Sequence, residues 1–107
     1  TTSDFLPEKT SFKIGNYVFD FAKQQLILAE TKTIISYRES QVLKYLAESV
    51  NAVVEKNNIL KDLWGDNSVS NSRNMDVVIT KLRQYLKDDE KVRILNTRGI
   101  GYKLVVE

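Results

Sequence analysis

The sequence predicts an α+β domain, and three observations carry that prediction. Residues 11–35 fall into short runs of β-type alternation, residues 37–87 carry apolar side chains at helical spacing, and residues 92–106 form two further apolar runs around a glycine-bearing turn. A length of 107 residues, with 42% hydrophobic and 28% charged residues, suits one compact domain with a modest core.

Thr1 to Thr10 contains the single proline, Pro7, and no sustained period, so residues 1–10 read as a linker and residues 11–107 as the domain. With no initiator methionine the chain reads as a fragment, and Thr1 to Thr10 as the end of a connection to a missing upstream domain; Phe5 and Leu6 are apolar enough to pack. From Ser11 to Ile35 the strand candidates are Phe12–Ile14, Tyr17–Phe21, Gln25–Ala29 and Thr33–Ile35. Gly15-Asn16 is a two-residue hairpin signal because both residues tolerate positive φ. The alternation of Tyr17, Phe19 and Phe21 predicts one buried face, and a small antiparallel sheet of this kind needs a second layer to cover it.

Tyr37 to Ser49 reads as a helix with Val42, Leu43, Leu46, Ala47 and Val50 on one side, opened by a capping box of Ser36 and Glu39 and closed near Asn51. Ile59, Leu60, Leu63 and Trp64 predict a second, short helix that begins near Glu55 and ends at Gly65. Asp66 to Ser72 reads as a polar loop. The third helix, Asn71 to Lys87, has two usable faces. Met75, Ile79, Leu82 and Leu86 recur at spacings of four, three and four, which stacks them in one stripe to be buried. Arg73, Val77, Thr80, Lys81 and Gln84 fall on the far side, a surface of hydrogen-bond donors with one small apolar residue among them. Taken alone, that face reads as the solvated side of an ordinary helix, since charged outer faces are the norm for globular helices.

Lys87-Asp-Asp-Glu-Lys91 reads as a solvated turn, since consecutive acids point in different directions and lack metal-ligand spacing. Val92–Leu95 and Tyr102–Val106 then predict a hairpin around Asn96–Gly101, with Arg98 near its tip, where an exposed arginine can enter a DNA minor groove. Sheet, helix, helix, loop, helix and hairpin, in that order, suit a helix-turn-helix with a wing.

Charge supports a polyanionic partner through its distribution rather than its total. The whole chain carries only +2, yet residues 71–106 hold eight basic residues against four acidic ones, while the rest holds eight against ten. The chain lacks cysteine and histidine, which excludes a disulfide scaffold and metal sites built on thiolate or imidazole; no cofactor is expected. There is no apolar run long enough to span a membrane and no secretory pattern, so a cytoplasmic protein with no membrane association is expected. No nucleophile, base and orienter stand at recognisable spacing, which argues against an enzyme.

Three motifs, in order, carry a family resemblance: Leu63-Trp-Gly65, Arg73-Asn-Met-Asp-Val-Val-Ile-Thr-Lys-Leu-Arg83, and Thr97-Arg-Gly-Ile-Gly-Tyr102. From about Phe12 to Val105 the sequence resembles the C-terminal effector domains of the OmpR/PhoB family of bacterial response regulators. The resemblance implies a winged helix-turn-helix with an N-terminal four-stranded antiparallel sheet, three helices and a C-terminal β-hairpin wing. It implies sequence-specific binding of double-stranded DNA, with Val77, Thr80, Lys81 and Gln84 facing bases in the major groove. Arg73, Asn74, Arg83 and Trp64 match backbone-contacting positions, and Arg98 the wing residue of the minor groove. The base chemistry agrees: lysine donates to guanine O6 and N7, valine meets a thymine methyl, threonine serves either kind of base edge and glutamine suits adenine. An indole at position 64 equally suits a core or lid aromatic, with its N–H left free to reach out.

The resemblance further implies a two-component system. An upstream receiver domain, phosphorylated by its cognate histidine kinase, would dimerise and seat two effector domains on tandem half-sites, raising affinity without new contacts. Asp66, Asn67, Ser68, Val69 and Ser70 match a loop that touches RNA polymerase in some members. Val78 stands where many members have a phosphate-contacting histidine, and Lys81 and Thr80 replace frequent arginines, so readout leans toward phosphates and groove shape. Glu55 occupies a common capping-serine position, and Val50-Asn51 replaces a usual turn glycine. Asp76 suits an early helical turn, paired with Arg73 or Arg83. The rival reading is a winged-helix protein-interaction module without specific DNA readout, because winged helices also pair with proteins and the acidic stretch from Thr1 to Ser70 offers no DNA surface.

Overall fold

The computed structural model describes residues 11–107, so the linker reading of residues 1–10, with Phe5 and Leu6, lies outside the described residues. Four strands come first: β1 (Ser11–Ile14), β2 (Tyr17–Asp20), β3 (Gln25–Leu28) and β4 (Thr31–Ile34), in a meander of order β1-β2-β3-β4 with every pair antiparallel. Alternation works as the period-2 pattern requires: Phe12, Ile14, Tyr17, Phe19 and Leu26 point into the core. Gly15 takes φ +60° in the first turn and Asn16 stays at negative φ, so one left-handed residue suffices for the hairpin.

The helices follow as α1 (Tyr37–Ala47), α2 (Lys56–Trp64) and α3 (Val69–Tyr85). α1 opens with the expected capping box, Ser36 Oγ accepting from the Glu39 amide while the Glu39 carboxylate accepts from the Ser36 amide. It ends at Ala47, short of the expected Ser49, and Val50 is exposed in the turn that follows rather than buried in the helix face. Asn51 takes φ +64°, supplying the left-handed turn for which glycine would be the usual choice. Gly65, at φ +91°, closes α2.

β6 (Val92–Thr97) and β7 (Gly101–Val106) form the predicted hairpin, with the ladder carried two residues further on β6 and one on β7 than the sequence suggests. A short strand absent from the sequence reading, β5 (Val53–Glu55), pairs antiparallel with β7 and makes the second sheet three-stranded, in the order β5-β7-β6. It is built by a valine pair whose partner lies far along the chain. Where β5 meets β7 the backbones are so close that a Cβ on Gly101 would sit 1.9 Å from the Val54 carbonyl oxygen.

One core joins both sheets to the helices. Val42, Leu43 and Leu46 of α1, Ile59 and Leu60 of α2, and Met75, Ile79, Leu82 and Leu86 of the α3 stripe are buried against the aromatic face of the first sheet and against Val92, Ile94, Tyr102 and Leu104 of the second. The Tyr17 hydroxyl donates to the Tyr85 carbonyl at 3.1 Å, and the Tyr85 hydroxyl to Glu39 at 3.2 Å, tying the first sheet, α3 and α1 together. Asp89 departs from expectation. It is 7% exposed, accepting from the amides of Asn16 at 2.9 Å and Lys91 at 3.0 Å, so the turn read as solvated is an anchor for the first β-turn. Those two amides hold its carboxyl below the usual carboxylate range.

Candidate nucleic-acid interface

Two features of α3 decide what its outer face presents. The first is its start. Ser68 is the cap: its Oγ accepts from the Asn71 amide at 3.2 Å, while Asp66 accepts from the Ser68 amide at 3.0 Å and from Asn71 Nδ2 at 2.7 Å. The helix therefore runs Val69–Tyr85, two residues displaced from the expected 71–87, and the polar loop is shorter than expected. Of the five candidate polymerase-contact residues, Asp66, Asn67 and Ser68 lie before the helix and Val69 and Ser70 lie in its first turn; all five are exposed.

The second feature is that burying Met75, Ile79 and Leu82 turns Val77, Thr80, Lys81 and Gln84 outward together. Those four are exposed and, with Asp76, line a shallow hollow on the helix surface. Val77, 55% exposed, is the apolar member of that face. The Thr80 hydroxyl donates to the Asp76 carbonyl at 2.9 Å, one turn back, so its proton is used within the helix and the oxygen is left as an acceptor. Arg73 and Asn74 are exposed on the same helix. Val78 is half-buried and packs on the core.

Arg83 is less free than its sequence position suggests. Its Nε donates to the Ile94 carbonyl at 3.0 Å, strapping α3 to β6, with the outer edge of the guanidinium left toward solvent. Trp64 is half-buried at the end of α2, packed on the core, with the Arg38 guanidinium 4.5 Å above its ring and also donating to the Leu63 carbonyl. Arg98 is exposed in the turn between β6 and β7, where Gly99 takes φ +78° and the Ile100 amide closes the turn on the Thr97 carbonyl.

Asp76 does not pair with Arg73 or Arg83. It accepts from the Tyr102 hydroxyl at 2.6 Å and from Lys56 Nζ at 2.9 Å, partners on β7 and α2 that helical spacing alone cannot supply. Partial burial pushes its carboxyl up, but these two bonds outweigh burial and hold it below its ordinary value. Burial first, and then donation to Asp76, push the Tyr102 hydroxyl well above the ordinary tyrosine value. Lys56 and Tyr102 are thus members of the site that sequence reasoning did not assign to it; the signal for Tyr102 was its place at the end of the wing motif. Among the described residues no grouping of acids is placed to hold a metal ion, and no helix is long and apolar enough to cross a membrane.

A helix-turn-helix whose last helix carries a donor-rich outward face, beside a three-stranded sheet with an arginine at its turn, has the architecture of a winged-helix domain. The family model "Transcriptional regulatory protein, C terminal" matches residues 30–104, and the chain belongs to that family, as a non-enzymatic effector domain of OmpR/PhoB type. It is 41% identical over 98 residues to the transcriptional regulatory protein RprY of Bacteroides fragilis, covering 92% of this chain and 42% of that one. Among solved structures it is similar to the Klebsiella pneumoniae RstA DNA-binding domain in complex with the RstA box, at TM-score 0.74 and 25% identity, over 91% of this chain and 98% of that one. It is also similar to the response regulator DrrB of Thermotoga maritima, an OmpR/PhoB homologue, at TM-score 0.75 and 26% identity, over 91% of this chain and 45% of that one. The chain spans less than half the length of the curated relatives it matches.

Proposed function

We propose that this domain binds double-stranded DNA sequence-specifically, with α3 in the major groove and Arg98 in the minor groove. The observation that carries the reading is the outward hollow of α3, where Val77, Thr80, Lys81 and Gln84 stand together clear of the core. Lys81 serves guanine O6 and N7, Val77 a thymine methyl, and Gln84 an adenine edge. Thr80, its proton used by the Asp76 carbonyl, serves as an acceptor for adenine N6 or cytosine N4. Arg73, Asn74 and the outer edge of Arg83 serve phosphates, with Trp64 beside the backbone. Arg83 reaches a phosphate while strapped to β6, which fixes its fork before DNA arrives and lowers the ordering cost of the contact.

In the whole protein, a cytoplasmic regulator of a two-component system, residues 1–10 connect to a receiver domain that a histidine kinase phosphorylates. Dimerisation then places two effector domains on tandem half-sites, and the exposed residues 66–70 face RNA polymerase. A chain of net charge +2 binds duplex weakly by itself, and linkage of two copies compensates.

The test is fluorescence anisotropy of the domain with mixed-sequence duplex at several salt concentrations. Affinity should fall with salt at a log-log slope near −0.9 per neutralised phosphate. Lys81→Ala and Arg98→Ala should each weaken binding by about 5- to 100-fold while remaining folded by circular dichroism, and Arg73→Ala should reduce the slope by about one contact. Absence of binding at low salt, or variants that bind unchanged, would leave the protein-interaction module as the better reading.

A further inference from the structure

An acid on a surface that faces a polyanion repels its ligand unless something offsets it, and Asp76 stands next to Val77 on the outward side of α3. Its charge is offset locally: Lys56 Nζ lies 2.9 Å from Oδ1, and the same oxygen accepts from the Tyr102 hydroxyl at 2.6 Å. The three residues come from α2, α3 and β7, and the Lys56 ammonium also lies 5.9 Å over the Tyr102 ring. A second tie runs through the backbone, where the Lys56 amide donates to the Ile100 carbonyl at 2.9 Å in the wing turn. Together these contacts line the cleft between α3 and the wing turn that carries Arg98.

We infer that Asp76 is a positioning residue, which holds the wing to the recognition helix and so sets where Arg98 stands relative to the base-facing side chains. The inference rests on the DNA-binding reading above. A β-ribbon of two strands with a three-residue third strand twists and flexes easily, and its turn, 98–100, lies beyond the last paired residues, Thr97 and Gly101. Arg83 ties α3 to β6 at Ile94, well short of the turn, and backbone bonding to Lys56 fixes the turn to α2 but not to α3. Asp76, one residue from Val77, supplies the tie to α3 nearest the turn, so the tip of the wing is held against the helix and its ordering cost is met before binding. With one partner 55% exposed, the Lys56–Asp76 pair contributes little to stability, which leaves geometry as its main effect.

The sign of the effect separates this role from plain charge. Removing an acid beside a phosphate-binding surface, and freeing Lys56, should tighten binding by electrostatics alone; loss of positioning should weaken it. Asp76→Ala suits the helix interior and adds no polar group. It should weaken duplex binding about fivefold, as should Tyr102→Phe, yet in an Arg98→Ala background Asp76→Ala should change affinity less than about twofold, because the side chain being aimed is gone. By NMR, exchange of the Lys56 and Ile100 amides should rise about fivefold in Asp76→Ala, with the Leu43 and Leu82 amides unchanged, which a general loss of stability would not produce. Binding as tight as or tighter than wild type, an equal loss with and without Arg98, or unaltered exchange at Lys56 and Ile100 would each overturn the inference while leaving the DNA reading intact. A wild-type domain that binds no duplex would overturn that reading and, with it, the purpose assigned to Asp76.

Discussion

Tyr45 and Asp62 join α1 to α2 through one short hydrogen bond, the Tyr45 hydroxyl donating at 2.5 Å. Because the neutral phenol donates that bond, Asp62 raises the Tyr45 pKa from 10.0 to about 12, with burial and the charge of Asp62 adding to the shift. A raised folded pKa means that the bond's contribution is intact below pH 10.0 and is lost as pH rises through about 12. Tyr45→Phe should therefore lower the Tm at neutral pH and show a shallower decline than wild type from about pH 10 to about pH 12, followed by circular dichroism. At this scale, exposure was legible and partners were not. Lys81, Gln84 and Arg98 are exposed as helical phase and turn position require. The partners of Asp76 and Arg83 come from other elements, so no i, i+3 or i, i+4 rule could find them.

Helix starts differ in quality, and the difference can be measured. Ser36 makes a complete capping box on α1, whereas Glu55, the cap of α2, makes no side-chain bond to its helix backbone and instead accepts from Asn58 Nδ2 at 3.2 Å. Ser36→Ala should cost about 1 kcal/mol in urea unfolding with the denaturant slope unchanged. Glu55→Ser should gain about 0.5 kcal/mol, because the backbone there already has the extended geometry a cap requires, φ −68° and ψ 128°. The helical stripe of Met75, Ile79, Leu82 and Leu86 was fully legible because its period is local. The start of α3 was not: Ser68, Ser70, Asn71 and Ser72 all satisfy the local capping rule, and the bonds that Ser68 and Asn71 donate to Asp66 favour Ser68. β5 escaped for a related reason, since three residues show no period and their pairing partner is β7, near the end of the chain.

Across the molecule, the first sheet is held at its β1–β2 turn to the segment that leads into β6. Gly15 is packed so closely there that a Cβ would meet Val92 Cγ2 at 2.4 Å and Asp89 Oδ2 at 2.7 Å, on a residue already at φ +60°. Asp89 bonds the amide of Asn16 beside it. Asp89→Ala should lower the Tm at neutral pH by several degrees, read by thermal unfolding. A depressed folded pKa means that the stability Asp89 adds is present above its unfolded value and lost as pH falls through the folded one. The gap between wild type and variant should therefore close in acid; a gap that persists there would show that packing, not the carboxylate, holds the turn.

The sequence by itself determined the kind of each major element, the buried face of each helix, the turn at Gly15 and the place of Arg98, because periodicity, capping and glycine chemistry act within a few residues. Only the tertiary structure decided which polar side chains meet. Arg83 straps α3 to β6, Asp89 is buried under the first turn, and Asp76 bonds β7 and α2. Contacts of that kind depend on how packed elements cross, which neither the period of one helix nor the spacing of one motif contains.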